Sequence, residues 1–163
     1  MQAPNDQSSI RPASFDDVAR IRSIARAAYA KYIARIDREP APIGADYDSE
    51  VAAGRVVVVE ADGSARGYMV AWPEADAYFI DNIGIEPNAQ GKGLGRRLLE
   101  HAASEARRLR LPALRLYTNA AMTENVSMYA YLGFVETHRQ AEKGFNRIYM
   151  RLDLTGPASR ARE

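Results

Sequence analysis

The most constraining feature of this sequence is a run of three glycines, Gly91, Gly93 and Gly95, between two segments of different character. The segment before them, residues 77–86, is apolar along most of its length, which predicts a strand buried on both faces. The segment after them repeats apolar residues at helical spacing, which predicts an amphipathic helix. The predicted apolar stripe of this helix consists of Leu98, Leu99, Ala102, Ala103, Ala106 and Leu109. The glycines therefore join a strand to a helix.

The start of this predicted helix carries Arg96 and Arg97, although acidic residues are usual there because the helix dipole is positive at its N-terminus. Free backbone N–H groups and the dipole attract anions at such a junction, and glycine lets a ligand approach the backbone closely. A phosphate group would supply the missing negative charge. The alternative is a tight turn followed by two solvated arginines.

Two familiar phosphate-binding loops do not fit these residues. GKGLGRR (91–97) lacks the four-residue spacer and the Ser or Thr of a nucleotide-triphosphate loop. GKGLG (91–95) does not match the dinucleotide pattern G-x-G-x-x-G, and it lies past the middle of the chain rather than after the first strand. Neither a magnesium nucleotide nor a dinucleotide is therefore the expected ligand.

The 163 residues carry a formal net charge of +1 with both signs dispersed, so neither nucleic acid nor an acidic membrane surface is an expected partner. Apolar runs are short, and the first residues contain neither a basic nor a hydrophobic region, which disfavours a membrane span and a signal peptide. We expect a cytoplasmic protein with one domain over 10–154, a flexible start over 1–9 and a disordered tail over 155–163.

The chain contains no cysteine, which excludes thiolate nucleophiles, cysteine-ligated zinc and an acyl-cysteine intermediate. Its two histidines, His101 and His138, do not form a ligand-like pair, so no metal site is expected and both favour surface or structural roles. No serine lies in a G-x-S-x-G motif, which argues against a serine hydrolase.

The first half of the chain predicts helices and a hairpin. Ser14 and Asp17 form a variant of the capping box before a helix whose apolar residues recur as far as Tyr32. An irregular segment rich in proline follows, and then a short helix. Residues 56–72 predict a hairpin that turns in ADGS (61–64).

The second half of the chain predicts a strand over 114–118, a short helix that ends at Gly133, and two final strands over 134–139 and 146–154. A hairpin turn near Lys143 and Gly144 is predicted to join the last two strands. Several strands precede the glycine loop, and strands also close the chain. The pattern therefore predicts a mixed α/β (α+β) fold rather than a regular alternation of strands and helices.

Two motifs resemble signatures of the GNAT acetyltransferase superfamily. Gln90, Gly93 and Gly95 in QGKGLG match its pattern Q/R-x-x-G-x-G/A between a strand and a helix. NVSMYAYLGF (125–134) is similar to the Asn, Tyr and Leu-Gly-Phe helix near the C-terminus of that superfamily. Together with the order of elements over 10–154, these motifs imply a GNAT-like central, mostly antiparallel twisted sheet flanked by about four helices.

The resemblance implies an N-acetyltransferase that uses acetyl-CoA. In that superfamily the loop binds the cofactor's pyrophosphate through backbone amides, and the strand before it pairs with the pantetheine arm. Tyr129 matches the tyrosine that protonates the departing CoA thiolate in many members, although its helical spacing with Met128 and Leu132 would also suit a core aromatic. The implied cofactor-binding residues are Ile83, Gly84, Ile85, Gln90, Gly91, Lys92, Gly93, Leu94, Gly95, Arg96 and Asn125.

The general base and the acceptor site are less marked in the sequence. Asp81, on the strand before the loop, is the preferred base, while Tyr117 on the next strand or a chain of waters would also serve. Glu86 lies too near the predicted cofactor loop. The segment between the first two helices and the last hairpin often line the acceptor site in this superfamily, which implies residues of about 29–47 and 140–147 here.

The resemblance therefore implies direct transfer of an acetyl group from acetyl-CoA to a primary amine of a small molecule or peptide, within a ternary complex. A non-catalytic CoA-binding regulatory module is one alternative. A binder of a different phosphate ligand is another. Assembly into a homodimer is left open.

Overall fold

The computed structural model describes residues 8–155, which form seven strands and five helices joined by short 3-10 turns and loops. The strands are β1 (Ser8–Pro12), β2 (Val56–Ala61), β3 (Ser64–Pro73), β4 (Tyr78–Ile85), β5 (Ala113–Asn119), β6 (Val135–Glu142) and β7 (Phe145–Asp153). The helices are α1 (Val18–Tyr29), α2 (Ile33–Ile36), α3 (Tyr47–Ala52), α4 (Leu94–Arg108) and α5 (Thr123–Tyr131). The strands form one sheet in the order β1-β2-β3-β4-β5-β7-β6, which confirms the mixed α/β fold class.

Most neighbouring strands in this sheet are antiparallel. The pairs β1–β2, β2–β3, β5–β7 and β6–β7 all run in opposite directions. Strands β4 and β5 are parallel and pair from Tyr78–Leu114 to Ile80–Leu116. A parallel pair needs a long crossover connection, which contains helix α4 here. The prediction of a mostly antiparallel sheet is confirmed.

Both predicted hairpin turns are present. The β2–β3 turn passes through Asp62 and Gly63, and the β6–β7 turn passes through Lys143 and Gly144. All four residues have positive φ. Two successive residues with positive φ match the twist of the flanking strands, which is why two-residue hairpins favour Asp-Gly and similar pairs.

The described residues fall into two compact units. The first contains 8–71 and Asn82–His101, and the second contains Trp72–Asp81 and 102–155. Helices α1, α2 and α3 belong to the first unit, whereas α5 and the strands β5, β6 and β7 belong to the second. Strands β3 and β4 and helix α4 contribute residues to both. A single domain over 10–154 stays a prediction.

In the first unit, helix α1 buries the face that its apolar spacing predicts. Ile21 and Ala25 are completely buried, and Ile24 is nearly so. The α-helix ends at Tyr29, and a 3-10 turn, Ala30–Tyr32, continues the chain where the sequence predicts one helix as far as Tyr32. Tyr32 is nevertheless buried, so its place in the apolar pattern is correct.

In the second unit, Ala102 and Ala106 of α4 are completely buried. The predicted stripe is wrong at Leu109, which lies beyond the end of α4 and is 39% exposed, and Ala103 is only half-buried. Arg110 has a φ of 61°, and a residue with left-handed conformation ends a helix. The helix therefore stops before the stripe reaches Leu109.

Two strands differ from the predictions. The sequence predicts no strand at Ser8 and Ser9, which fall in the predicted flexible start, yet both pair with β2 in strand β1. The remaining residues of the predicted termini, 1–7 and 156–163, lie outside the described residues. Strand β4 is predicted to be buried on both faces, but Asp81, Ile83 and Ile85 are only half-buried.

Over residues 8–155, no helix combines the length and the apolar character that crossing a lipid bilayer requires. The cytoplasmic location stays a prediction.

The entry into helix α1 is held by a charged side-chain network. Arg11 of β1 donates two hydrogen bonds of 2.9 Å to the carboxylate of Asp17. The backbone N–H of Ser14 donates to the same carboxylate over 2.8 Å, which is one half of the predicted capping box. The Arg11 hydrogen bonds, together with that of the Ser14 N–H, lower the pKa of Asp17 from 3.8 to about 2. The carboxylate therefore stabilises the folded chain.

We expect Asp17→Asn to lower the free energy of unfolding by about 1–2 kcal/mol at neutral pH, because a charged acceptor for Arg11 and Ser14 is lost. The folded-state pKa lies below the ordinary value, so the stabilisation is present above about pH 4 and is lost as the pH falls toward about 2. Urea denaturation should therefore show the gap between wild type and variant narrowing over this range. Asp16→Asn, at an exposed position in the same turn, is the control. A constant gap would contradict the assignment.

Candidate functional site

The glycine loop, residues 90–95, places backbone amides at the start of helix α4. Gly91 and Gly93 have φ angles of 81° and 83°, in the left-handed region that favours glycine. The N–H of Arg97 donates to the carbonyl of Gly93 over 3.0 Å, which is the first bond of the helical ladder. The preceding amides of the first turn have no partner within the helix, and that turn contains no acidic residue. The loop is suited to bind an anion.

The two arginines after the loop differ in their surroundings. Arg97 donates a hydrogen bond of 2.8 Å to the hydroxyl of Ser8, so this guanidinium supports strand β1. Arg96 is exposed, and its Nε lies 3.7 Å from a carboxylate oxygen of Glu100. Lys92 is also exposed, within the loop itself. Arg96 is therefore better suited than Arg97 to meet an anion at the loop.

The last part of strand β4 exposes one edge of its backbone. The N–H of Glu86 donates to the carbonyl of Arg66 on β3 over 2.8 Å. Successive residues of a strand point their backbone groups to opposite sides, so Ile83 and Ile85 point away from β3. The parallel pairing of β4 with β5 has already ended at Ile80. Among the strands that the structure describes, none therefore pairs with this edge at Ile83 and Ile85.

Side chains accompany the backbone carbonyls along this edge. The hydroxyl of Tyr29 donates to the carbonyl of Ile83 over 2.6 Å. The side-chain amide of Gln90 donates to the carbonyl of Ile85 over 3.0 Å. Both carbonyls already accept a hydrogen bond from a side chain. A ligand that lies along this edge like a strand would therefore accept hydrogen bonds from the N–H groups of Ile83 and Ile85.

Glu86, at the end of β4, is held by two arginines. Arg66 donates to one carboxylate oxygen over 2.8 Å and Arg20 to the other over 2.5 Å. These hydrogen bonds hold the pKa of Glu86 below its ordinary value, so the side chain stays ionised. Glu86 therefore has a structural role, because it links the end of β4 to Arg20 and Arg66. No local spacing in the sequence indicates this cluster, because its members are 20 and 66 residues apart.

Gly84 lies against a buried tyrosine. A Cβ atom at this position would lie 2.4 Å from the ring of Tyr68, which is completely buried. The Tyr68 hydroxyl lies 3.1 Å from that of Tyr47, which donates to the carbonyl of Pro42 over 2.6 Å. The packing of Tyr68 explains why residue 84 is a glycine. Tyr47 in turn attaches the irregular segment around Pro42 to β3.

In the second unit, Asp81 is paired with Tyr117. The Tyr117 hydroxyl donates to the Asp81 carboxylate over 3.2 Å. Burial raises the pKa of Tyr117, and the nearby charge of Asp81 raises it further. The guanidinium carbon of Arg147 lies 4.2 Å from the centre of the Tyr117 ring, a cation–π distance. Tyr117 therefore keeps its proton and fixes the orientation of the Asp81 carboxylate.

The β6–β7 hairpin adds polar groups to this unit. Arg147 lies 3.6 Å from the carboxylate of Glu142, and the hydroxyl of Tyr149 donates to the same carboxylate. The ring of His138 stacks on that of Tyr149 at 4.5 Å, so this histidine has a structural contact. Glu142 and Arg147 both fall in the predicted acceptor segment 140–147. The sequence does not predict the contact of Arg147 with Tyr117, because the two residues lie on different strands and no local spacing relates them.

Helix α5 carries the two remaining predicted site residues. The side-chain amide of Asn125 donates to the sulfur of Met122 over 3.6 Å, a weak acceptor. Tyr129 is half-buried, and its ring meets that of Phe134 edge-on at 5.6 Å. Tyr131 is 79% exposed. The two tyrosines of α5 therefore lie in different surroundings, and the proposed roles of Asn125 and Tyr129 stay predictions.

Across residues 8–155, no group of three or more His, Cys, Asp or Glu residues is arranged to hold a metal ion.

A family model described as "Acetyltransferase (GNAT) family" matches residues 18–134, well over half of the chain. The chain is 30% identical over 102 residues to peptidyl-lysine N-acetyltransferase YjaB of Salmonella typhimurium (strain LT2), covering 63% of each protein. It is 31% identical over 75 residues to the ribosomal protein bS18-alanine N-acetyltransferase of Escherichia coli (strain K12), covering 46% of this chain and 51% of that one. The matched part thus spans between about half and two thirds of the length of these relatives.

Among solved structures, yncA of Salmonella typhimurium with its cofactor acetyl-CoA matches this fold with a TM-score of 0.65. The two chains are 26% identical, and the match covers 93% of this chain and 96% of that one.

We expect Gly84→Ala to lower the free energy of unfolding by about 1–3 kcal/mol, because the added methyl group would collide with the buried ring of Tyr68. Gly44→Ala is the control, since a Cβ at Gly44 meets no heavy atom within 4 Å. Chemical denaturation of both variants measures the difference. Equal stability of Gly84→Ala and wild type would mean that close packing does not explain the glycine.

Proposed function

This chain belongs to the GNAT acetyltransferase family, and we propose that it transfers an acetyl group from acetyl-CoA directly to a primary amine of a small molecule or peptide. The glycine loop carries the proposal, because it joins an open strand edge to a helix start that lacks an acidic residue. The named relatives support a polypeptide amine, since one name specifies peptidyl-lysine and the other an alanine of a ribosomal protein.

The residues of the first unit suit the parts of acetyl-CoA. The amides from Gln90 to Arg96 would hold the pyrophosphate, and the exposed guanidinium of Arg96 would add charge. The N–H groups of Ile83 and Ile85 would donate to the carbonyl oxygens of the pantetheine arm, as in the addition of a strand. Gly84 lets the ring of Tyr68 pack directly against the backbone of this strand. Asn125 is retained as a proposed cofactor contact.

The chemistry forms one bond, breaks one bond and transfers two protons. The amine nitrogen forms a bond to the thioester carbonyl carbon, a proton leaves that nitrogen, and the carbon–sulfur bond breaks. Asp81 is the proposed general base, and the hydrogen bond from Tyr117 orients its carboxylate. Tyr129 is the proposed general acid that protonates the leaving thiolate. The absence of cysteine from the chain supports direct transfer without an acyl-cysteine intermediate.

A panel of primary amines tests this function. We expect acetyl-CoA to release free thiol with at least one of a lysine peptide, a peptide with N-terminal alanine, or a small polyamine. The chain contributes no thiol background, since it has no cysteine. Gly95→Ala should weaken acetyl-CoA binding by about 10-fold or more, because a methyl group would obstruct approach to the loop amides. Calorimetry measures this affinity.

Gly95 is a sharper position for this test than Gly93, because its Cβ would find only an ordinary contact of 3.9 Å and its φ is not positive. The free variant should be as stable as wild type or more stable by up to about 1 kcal/mol, since alanine favours helices. Gly44→Ala is again the control. Wild-type affinity in Gly95→Ala would contradict the loop assignment. Binding of acetyl-CoA without turnover of any amine would favour the regulatory module, and competition by ATP would favour a different phosphate ligand.

Tyr129→Phe should lower kcat by about 10²- to 10⁴-fold while acetyl-CoA affinity stays near wild type, because positioned proton transfer contributes that much. A tyrosine hydroxyl can donate its proton as negative charge develops on sulfur. The variant keeps the ring and its contact with Phe134. Tyr131→Phe is the control, because that side chain is largely exposed. An unchanged kcat in Tyr129→Phe would make Tyr129 a packing residue.

A further inference from the structure

Two arginines of the second unit lie on neighbouring strands and on the same face of the sheet. Arg115 of β5 is the direct cross-strand partner of Arg151 of β7. The side chains of two residues that are directly opposite in an antiparallel pair lie on one face, and like charges in such positions destabilise the sheet. The fold therefore carries an unfavourable pair of positive charges that needs an explanation.

Aromatic rings, rather than hydrogen bonds, surround the guanidinium group of Arg115. Its central carbon lies 4.9 Å from the centre of the Phe79 ring and 5.1 Å from that of the Tyr149 ring, which are cation–π distances. Phe79 and Tyr149 are both buried. The Nη1 atom of Arg115 is also buried, and it has no hydrogen-bond partner among residues 8–155. A buried donor without an acceptor costs free energy, so Arg115 does not owe its place to stability alone.

Two carboxylates of the β3–β4 turn approach these arginines without forming hydrogen bonds. A carboxylate oxygen of Glu74 lies 3.8 Å from Nε of Arg115, and one of Asp76 lies 3.6 Å from a guanidinium nitrogen of Arg151. Both distances exceed the range of about 2.7–3.2 Å for such bonds. The side chains of Arg115 and Arg151 are 30% and 34% exposed, so solutes reach both. Within the described part of the chain, neither guanidinium has a hydrogen-bonded acceptor.

The kind of ligand follows from the charges and the geometry of the donors. A guanidinium group presents its N–H donors as a planar fork, which matches the oxygens of a carboxylate or a phosphate. A carboxylate brings one negative charge and two oxygens, which suit a single fork. A phosphate dianion brings two charges and at least three oxygens, so it can bridge two guanidinium groups. The pair of arginines therefore fits a phosphate better than a carboxylate.

We propose that Arg115 and Arg151 form a binding site for a phosphate dianion, either inorganic phosphate or the monoester of a small molecule. The two guanidinium groups donate to different oxygens of the phosphate, and its charge removes their mutual repulsion. Asp76, whose side chain is 74% exposed, turns into the solvent when the phosphate binds. The site shares no residue with the glycine loop, and this inference does not rest on the proposed function.

The Nε–H signal of Arg115 in the NMR spectrum of the full chain provides a direct test, and its absence from Arg115→Lys identifies it. Inorganic phosphate, glycerol 3-phosphate and acetate are titrated separately, at constant ionic strength and at a pH where the phosphates are dianions. We expect a saturable shift of this signal with at least one of the two phosphates, and a much weaker response to acetate. The backbone amides of residues 90–95 are followed in the same spectra, so that binding at the glycine loop is recorded separately.

Variants with effects of opposite sign distinguish this site from a general loss of structure. Arg151→Gln should weaken phosphate binding by about 10-fold or more, because charge-assisted hydrogen bonds are lost. Asp76→Asn should strengthen it by about 2- to 5-fold, because a competing carboxylate is removed. Arg139→Gln is the control, since Arg139 is an exposed arginine of the same unit that already donates to Glu136 over 2.8 Å. Its phosphate affinity should equal that of wild type.

A response to inorganic phosphate alone, or to the monoester alone, supports the site and identifies the form of phosphate that it takes. A shift that does not saturate, or that acetate produces equally, would overturn the inference and leave Nη1 of Arg115 bonded to water. Equal affinity in wild type, Arg151→Gln and Asp76→Asn would also overturn it, because the phosphate would then bind elsewhere. No amine is turned over in this experiment, so its outcome is independent of the proposed function.

Discussion

The parallel pairing between strands β4 and β5 ends at Ile80, and the proposed cofactor site depends on this interruption. Backbone groups that lose a strand partner must find another, because an unpaired buried polar group costs about 1–3 kcal/mol. The chain supplies Tyr29 and Gln90 for the carbonyls of Ile83 and Ile85. The strand is therefore stable without a neighbour there, and it still offers N–H groups along that edge.

The same part of β4 is fixed from its other side by packing and charge. A fully buried aromatic side chain is worth about 3–5 kcal/mol, whereas an ion pair that water reaches contributes much less. Tyr68, which packs directly on the backbone of Gly84, therefore does more to hold the strand than the pairing of Glu86 with Arg20 and Arg66. The ion pairs instead link the end of β4 to helix α1 and to strand β3.

The sequence predicts those parts of the fold that depend on local patterns. The glycine loop, both hairpin turns and the apolar face of α1 follow from residue type and spacing over a few positions. Strand β1 could not be predicted in this way, because Ser8 and Ser9 owe their conformation to pairing with β2 rather than to apolar alternation. The end of α4 at Arg108 could not be predicted either, because arginine is not a residue type that favours the left-handed conformation found at Arg110.

The candidate site shows the same limit more clearly. The loop residues and Asp81 could be proposed because they lie beside a recognisable motif. The bond between Tyr29 and Ile83 and the cation–π contact between Arg147 and Tyr117 join distant parts of the chain. Contacts between residues so far apart produce no periodic pattern in the sequence. Gly84 shows a further limit, since its motif position suggests a cofactor contact while the structure gives a packing reason for it.

The hydroxyl protons of Tyr29 and Tyr117 are both donated to acceptors within the protein, which narrows the chemistry open to these two side chains. Tyr29 donates to a backbone carbonyl and Tyr117 to a carboxylate, so neither oxygen serves as a proton donor to a ligand without breaking that bond. Burial and the charge of Asp81 raise the pKa of Tyr117, so its phenolate is not available as a base near neutral pH. Glu86 is occupied by two arginines. Asp81 has a carboxylate that Tyr117 orients, and the proposed function therefore assigns it the proton of the amine.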